Sequence, residues 1–123
     1  MSYTILLMAK FKFIEWLILW LTETGRFDFE WDNGNRTKSA SKHAVATGEV
    51  EEVFMLGQAA PLGIQISPEA HEERLGIVGA TGAGRVVHIV FTIREGRVRP
   101  ISARPAKKKE RAIYEAYLRA ISK

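Results

Sequence analysis

Hydrophobic and polar positions follow several periods along this chain, and the clearest lies near its end. From Arg85 to Ile93, residues Val87, Ile89, Phe91 and Ile93 point one way and Val86, His88, Val90 and Thr92 the other. That is the two-residue period of a pleated strand. Arg94-Glu95-Gly96 makes a tight connection, with glycine supplying the freedom a short hairpin loop needs, and Arg97–Ala103 returns as a second strand. A closing helix follows, in which Ile113, Tyr114, Tyr117, Leu118 and Ile121 recur on one stripe.

Upstream, Phe27-Asp28-Phe29-Glu30-Trp31 alternates strictly and predicts a short strand, punctuated by the turn-forming Asp32-Asn33-Gly34-Asn35. Arg36–His43 is helix-compatible. Thr47 is the N-cap expected for a helix over Gly48–Leu56, with Val50, Val53 and Phe54 as its buried stripe. Residues 58–72 read as loop with a short strand at Ile64–Ile66, because Pro61, Gly63 and Pro68 oppose anything longer. Glu73–Ala80 reads as a strand, turned by Thr81–Gly84 into the hairpin. The order of strand, two helices, meander of three or four strands and helix predicts an α+β domain with an antiparallel sheet.

The first 26 residues stand apart from the domain expected over residues 27–123. Phe13–Leu21 (FIEWLILWL) is a dense apolar run, too short for a membrane span and interrupted by Glu15. It reads as a helix docking apolar side chains, or as sequence upstream of the natural start. A membrane-associated protein using residues 11–21 is a competing reading of the whole chain.

Charge changes the picture more than composition does. The 123 residues carry a formal charge of +4, but residues 1–84 hold 7 Lys/Arg against 11 Asp/Glu (net −4), and residues 85–123 hold 11 against 3 (net +8). Such a block is either a polyanion footprint or a solvated basic surface. The absence of cysteine excludes disulfides and thiolate metal sites and fits a reducing, cytoplasmic compartment. His43, His71 and His88 lack metal-ligand spacing, and no cofactor motif occurs.

Several short motifs occur in order: FEWD at Phe29–Asp32, Lys42-His43, Val53-Phe54, EER at Glu72–Arg74, Gly84-Arg85, ISAR at Ile101–Arg104, and K-x-E-R-x-x-Y from Lys108. The set resembles the BrnT-type ribonuclease toxins of bacterial type II toxin–antitoxin pairs, over about Phe27 to Tyr117. The resemblance implies a RelE-like α+β fold, an RNA substrate and a cognate BrnA-like antitoxin. Asn35, Ser39 and Ala44 depart from the residues usual in that family, and Pro100 interrupts the run before ISAR. Metal-independent cleavage by the 2′-hydroxyl needs a proton acceptor, a proton donor and cations on the phosphate. The match favours Lys42, His43, Glu73, Arg74, Arg85 and Arg104 as the catalytic set, with Arg85 and Arg104 on phosphate, Glu73 or His43 as proton acceptor, and Lys42 or Arg74 assisting. Lys107, Lys108 and Lys109 are the expected RNA-binding cations. His71 reads as a bystander and His88 as a satisfied or solvated histidine. A non-catalytic binding domain of the same fold is the other alternative.

Overall fold

In the computed structural model, which describes residues 9–122, the hairpin forms one side of the sheet, with its second strand at the edge. The elements are β1 (Lys10–Lys12), α1 (Glu15–Glu23), α2 (Asn33–Arg36), α3 (Lys38–His43), α4 (Thr47–Met55), β2 (Ala60–Ser67), β3 (Leu75–Ala80), β4 (Val86–Arg94), β5 (Arg97–Pro105) and α5 (Lys108–Ile121). The five strands form one antiparallel meander in sequence order. Glu95 (φ 51°) and Gly96 (φ 77°) both take left-handed conformations. A two-residue loop with positive φ at both positions matches the twist of the strands it joins.

The sheet has two unlike faces. Leu75 and Ile77 of β3, Val87, Ile89 and Phe91 of β4, and Val98 and Ala103 of β5 pack beneath α1, α4 and the Phe27–Trp31 segment. Phe54 centres this core, its ring meeting Phe27, Phe29 and Phe91 at 5.0–5.5 Å between centroids. On the opposite face α5 lies across β2 and β3, seating Tyr114 with Ala60, Val78 and Ala106. The remainder of that face is a cleft.

Four expectations need correction. Phe27–Trp31 does not form a strand. Its one bridge is parallel, Phe29 to Val98, through Glu30 N–H to Val98 O and Val98 N–H to Asp28 O, both 2.8 Å. Its aromatic residues are drawn into the core instead. Residues 60–67 form a full strand in place of a loop, because the register shift between Pro61 and Gly63 absorbs both residues. Gly63 (φ 124°) lies so close to the Lys12 carbonyl that a Cβ there would collide with it. The α4 helix is capped at Ala46 and not by Thr47: Glu49 Oε1 accepts from the Ala46 N–H at 3.0 Å. In α5, Ile113 and Ile121 are exposed, since the apolar packing of the helix on the sheet comes from Tyr114, Tyr117 and Leu118.

Side chains close the outer edge of β5, which would otherwise be open for further pairing. Asn35 Nδ2 donates to Pro100 O (2.9 Å) and Glu30 O (3.0 Å), and Ala103 N–H donates to Ser39 Oγ at 2.8 Å. Asn35 and Ser39 thus hold the strand that leads to Arg104. Pro100 sits on this edge beside a register shift, where its missing N–H is tolerated.

The boundary drawn at residue 26 is not a boundary of the core. Leu17 (0 % exposed) and Leu21 belong to the main apolar cluster, and the Trp20 ring stacks on Phe91 at 5.9 Å. Of the readings for Phe13–Leu21, the described structure shows a docked helix, and no described helix is long and apolar enough to cross a membrane. Emptying the Leu17 site should therefore be costly. We expect Leu17→Ala to lower unfolding free energy by about 2–5 kcal/mol in a urea titration; an unchanged midpoint would show that α1 adds nothing to the core.

Candidate functional site

The even-numbered residues of β4 face the cleft. His88 pairs in register with Arg104, and Val90 with Ser102, so these four side chains form its floor. Lys107, Glu110 and Ile113 rise from the start of α5, Phe11 and Leu62 close the opposite side, and Lys38 and Arg74 complete the wall. The pocket so enclosed has a volume of about 750 Å³. A smaller hollow continues from Lys38, Arg74 and Ile101 toward Arg94 and Arg99. Four cations and one carboxylate line the main pocket.

These charges are not equivalent. Arg104 grips Glu110 with both terminal nitrogens, at 2.8 and 2.7 Å, and Glu110 Oε1 also accepts from the Lys107 N–H at 2.8 Å. Burial pushes the Glu110 carboxyl up, but the Arg104 hydrogen bonds and the Lys107 N–H outweigh it and hold the group below the usual carboxylate range. Arg74, Lys38 and Lys107 form no side-chain ion pair among the described residues. The Arg74 Nε is buried without a hydrogen-bond partner. In the adjoining hollow, by contrast, Arg99 is neutralised by Asp32 (2.8 Å) and Glu30 (3.0 Å), and Arg94 by Glu72 (3.1 Å).

His88 is neither satisfied nor solvated. It is 3 % exposed, its two ring nitrogens have no hydrogen-bond partner, and the Phe11 ring meets it edge-on at 5.7 Å. Burial lowers its pKa to about 4; Glu110 raises it, while Arg104 and Lys107 lower it further. The imidazole is therefore uncharged at neutral pH, and the 3.9 Å approach of Nε2 to Glu110 Oε2 is a contact between a neutral ring and a carboxylate.

The residues expected from the sequence do not meet at one place. Arg74, Arg104 and Lys107 line the pocket; Lys42, His43, Glu73, Arg85, Lys108 and Lys109 do not. Arg85 serves the chain reversal between α3 and α4. Its guanidinium donates to Ala44 O (2.7 Å), His43 O (3.2 Å) and Glu49 Oε1 (3.2 Å). It thereby satisfies carbonyls that α3 leaves unpaired at its end, next to Ala44 in a left-handed conformation (φ 55°). Lys42 and His43 are exposed in the last turn of α3, and Lys108 and Lys109 are exposed at the start of α5. Glu73 is exposed ahead of β3, where its carbonyl accepts from Thr92 Oγ1 at 2.7 Å. No ion pair joins its side chain to Arg74 among the described residues. Sequence reasoning missed Lys38, Glu110 and Phe11. Only Glu110 left a local trace, an acid in the first turn of a helix following a strand-end arginine.

Fold and site together define a small α+β domain with a cationic cleft on one face of an antiparallel sheet, open to an anionic ligand. Comparison with protein families places it further. The family described as "Ribonuclease toxin, BrnT, of type II toxin-antitoxin system" matches residues 31–110, and the chain belongs to that family. No curated protein matches the chain. The match includes β2–β5, Lys38, Arg74, His88, Arg104, Lys107 and Glu110, but leaves out β1 and α1. Among the described residues no group of three or more His, Asp or Glu side chains is placed to hold a metal ion.

The buried His88 has a consequence for stability. Its ordinary pKa near 6.5 applies to the unfolded chain and about 4 to the folded one. The unfolded state thus takes up the proton first as pH falls, and stability is lost between those values. With each pH unit worth about 1.4 kcal/mol, the loss should approach 3 kcal/mol at pH 4. Glu110, with its lowered pKa, adds its own loss once pH falls below the ordinary carboxyl value of 4.5. Urea titrations from pH 7.5 to 4 should show this decline in the wild type and a markedly flatter curve in His88→Gln. Parallel curves would place the acid sensitivity elsewhere.

Proposed function

We propose that the protein is an endoribonuclease in which the cleft binds a phosphate of single-stranded RNA and promotes attack by the neighbouring 2′-hydroxyl. The observation that carries this reading is the convergence of Lys38, Arg74, Arg104 and Lys107 around one carboxylate, within the segment that matches the ribonuclease toxin family. Cations fixed beforehand in a half-buried pocket stabilise the charge that builds on a phosphorane without reorganising. Arg74 and the lysines are free to take a phosphate directly. Arg104 exchanges part of its contact with Glu110 for the ligand, and its fork suits two phosphate oxygens.

Proton transfer falls to the titratable groups on the same floor. His88 is uncharged and has both nitrogens unengaged, as a base must. Phe11 and Glu110 lie against it in the free protein, and substrate draws Glu110 aside. An entering phosphate offsets the field of Arg104 and Lys107, which moves the His88 pKa upward toward a value useful for general acid–base catalysis. His43 and Glu73, lying outside the pocket lining, are assigned no chemical step.

The family pairs each toxin with an antitoxin, and the cleft is the surface we assign to that partner. Lys108 and Lys109 stand in the first turn of α5, where positive charge opposes the helix dipole. A partner rich in Asp and Glu relieves this repulsion, covers the phosphate site and stabilises the fold by mass action.

The reading is tested with purified protein and a single-stranded RNA in the presence of a chelator. Cleavage should leave a 2′,3′-cyclic phosphate. Arg74→Ala and Arg104→Ala should each reduce kcat/KM by about 10²–10³; Arg74→Ala should melt as the wild type does, and Arg104→Ala somewhat lower, because it leaves Glu110 without its partner. Arg85→Ala should do the reverse, with a lower melting temperature and nearly unchanged cleavage per folded molecule. RNA binding without cleavage would identify a non-catalytic binding domain instead.

A further inference from the structure

The pocket has two chemically different halves, and only one suits a phosphate. Lys38, Arg74, Arg104 and Lys107 make the cationic part, while Phe11 and Leu62, on the side opposite Lys107 and Glu110, make an apolar one. Among the described residues, Phe11 is the one Phe, Tyr or Trp in the lining, and it comes from β1, outside the family match. It pairs with Gln65 across the β1–β2 ladder, which directs its ring to the cleft side of the sheet. The ring lies over Gly76, where an added Cβ would approach it to 2.5 Å, so the bare glycine makes room for it. The ring remains partly exposed, in the same pocket as Lys38, Arg74, Arg104 and Lys107. Cations flanking an aromatic side chain are the arrangement that holds single-stranded nucleic acid, the cations along the backbone and the ring under a base.

We propose that Phe11 is the stacking wall for a nucleobase of the bound RNA, so that the N-terminal strand completes the site. The inference rests on the RNA-cleavage reading and adds to it a residue that selects how the strand lies. The nucleotide spans the pocket with its phosphate on the cationic half and its base against the Phe11 ring. Stacking on a ring accepts every base, so Phe11 confers a need for a base at that position and no strict identity.

The test couples the side chain to the base. Affinity is measured by fluorescence anisotropy for a 2′-fluoro oligonucleotide, which lacks the attacking hydroxyl, and for copies carrying one abasic position each. In the wild type, one abasic position should weaken binding about tenfold. In Phe11→Leu, which keeps apolar bulk, the intact oligonucleotide should bind about as weakly and that abasic position should have no further effect. Phe11→Trp should restore both the affinity and the sensitivity. Melting temperatures within a few degrees of the wild type show that the variants are folded. The inference is overturned if Phe11→Leu binds the intact oligonucleotide like the wild type. It is equally overturned if the variant loses the same factor for intact and every abasic strand, or cleaves RNA faster, which would make the ring a cover over His88. A wild type that neither binds nor cleaves RNA removes the functional reading and this one together; a wild type that cleaves while Phe11→Leu is indistinguishable removes this one alone.

Discussion

The register of β4 is the constraint on which both halves of this molecule depend. Val87, Ile89 and Phe91 enter the main core, while His88, Val90 and Thr92 turn to the other face. A slip of one residue would exchange the two sets, placing an imidazole against Phe54 and removing the floor of the cleft. Several devices prevent it. The Glu95-Gly96 loop sets the pairing with β5 from one end. The turn at Thr81–Arg85 fixes the pairing with β3 from the other, with Thr81 N–H donating to Arg85 O at 2.9 Å and Gly84 N–H to Thr81 O at 2.9 Å.

Polar side chains hold what the core cannot reach. Asp32 caps α2 through the N–H groups of Gly34 and Asn35, at 2.8 and 3.0 Å, and Asn35 passes the constraint to Pro100 in β5. Ser39 adds the bond from Ala103, one residue before Arg104. The cation that meets Glu110 is therefore set by a chain of hydrogen bonds running from the α2 cap along the strand edge. Arg85 makes an equivalent attachment at the α3–α4 reversal. Two arginines at strand ends thus share one kind of partner, a helix-capping glutamate (Glu49 for Arg85, Glu110 for Arg104), and they differ in that Arg104 also lines the pocket.

Much of this was legible in the residues because the signals are local. Alternation in β4, the Glu-Gly loop and the stripe of α4 each depend on near neighbours, and the antiparallel α+β order follows from them. The Phe27–Trp31 alternation misled because its apolar residues are used to fill a core and not to face a sheet. Pro61 and Gly63 misled because a register shift excuses both. Arg74 and Arg104 could be named from family resemblance and Lys107 from the basic block, whereas Lys38 reaches the cleft only by the packing of α3 on β5. His88 carried no motif. Its meaning comes from Phe11, 77 positions upstream by the numbering, and from Glu110 across a strand–helix junction.

The central claim is that the ligand lies on the cleft face of the sheet and not at the α3–α4 reversal. The most direct measurement is a two-dimensional ¹⁵N–¹H NMR titration of the labelled protein with an uncleavable 2′-fluoro trinucleotide. The account predicts shifts concentrated at Arg74, His88, Ser102, Arg104, Lys107 and Glu110, with Lys42, His43 and Arg85 undisturbed. Shifts centred on Lys42, His43 and Arg85, with the β4–β5 cleft silent, would contradict it.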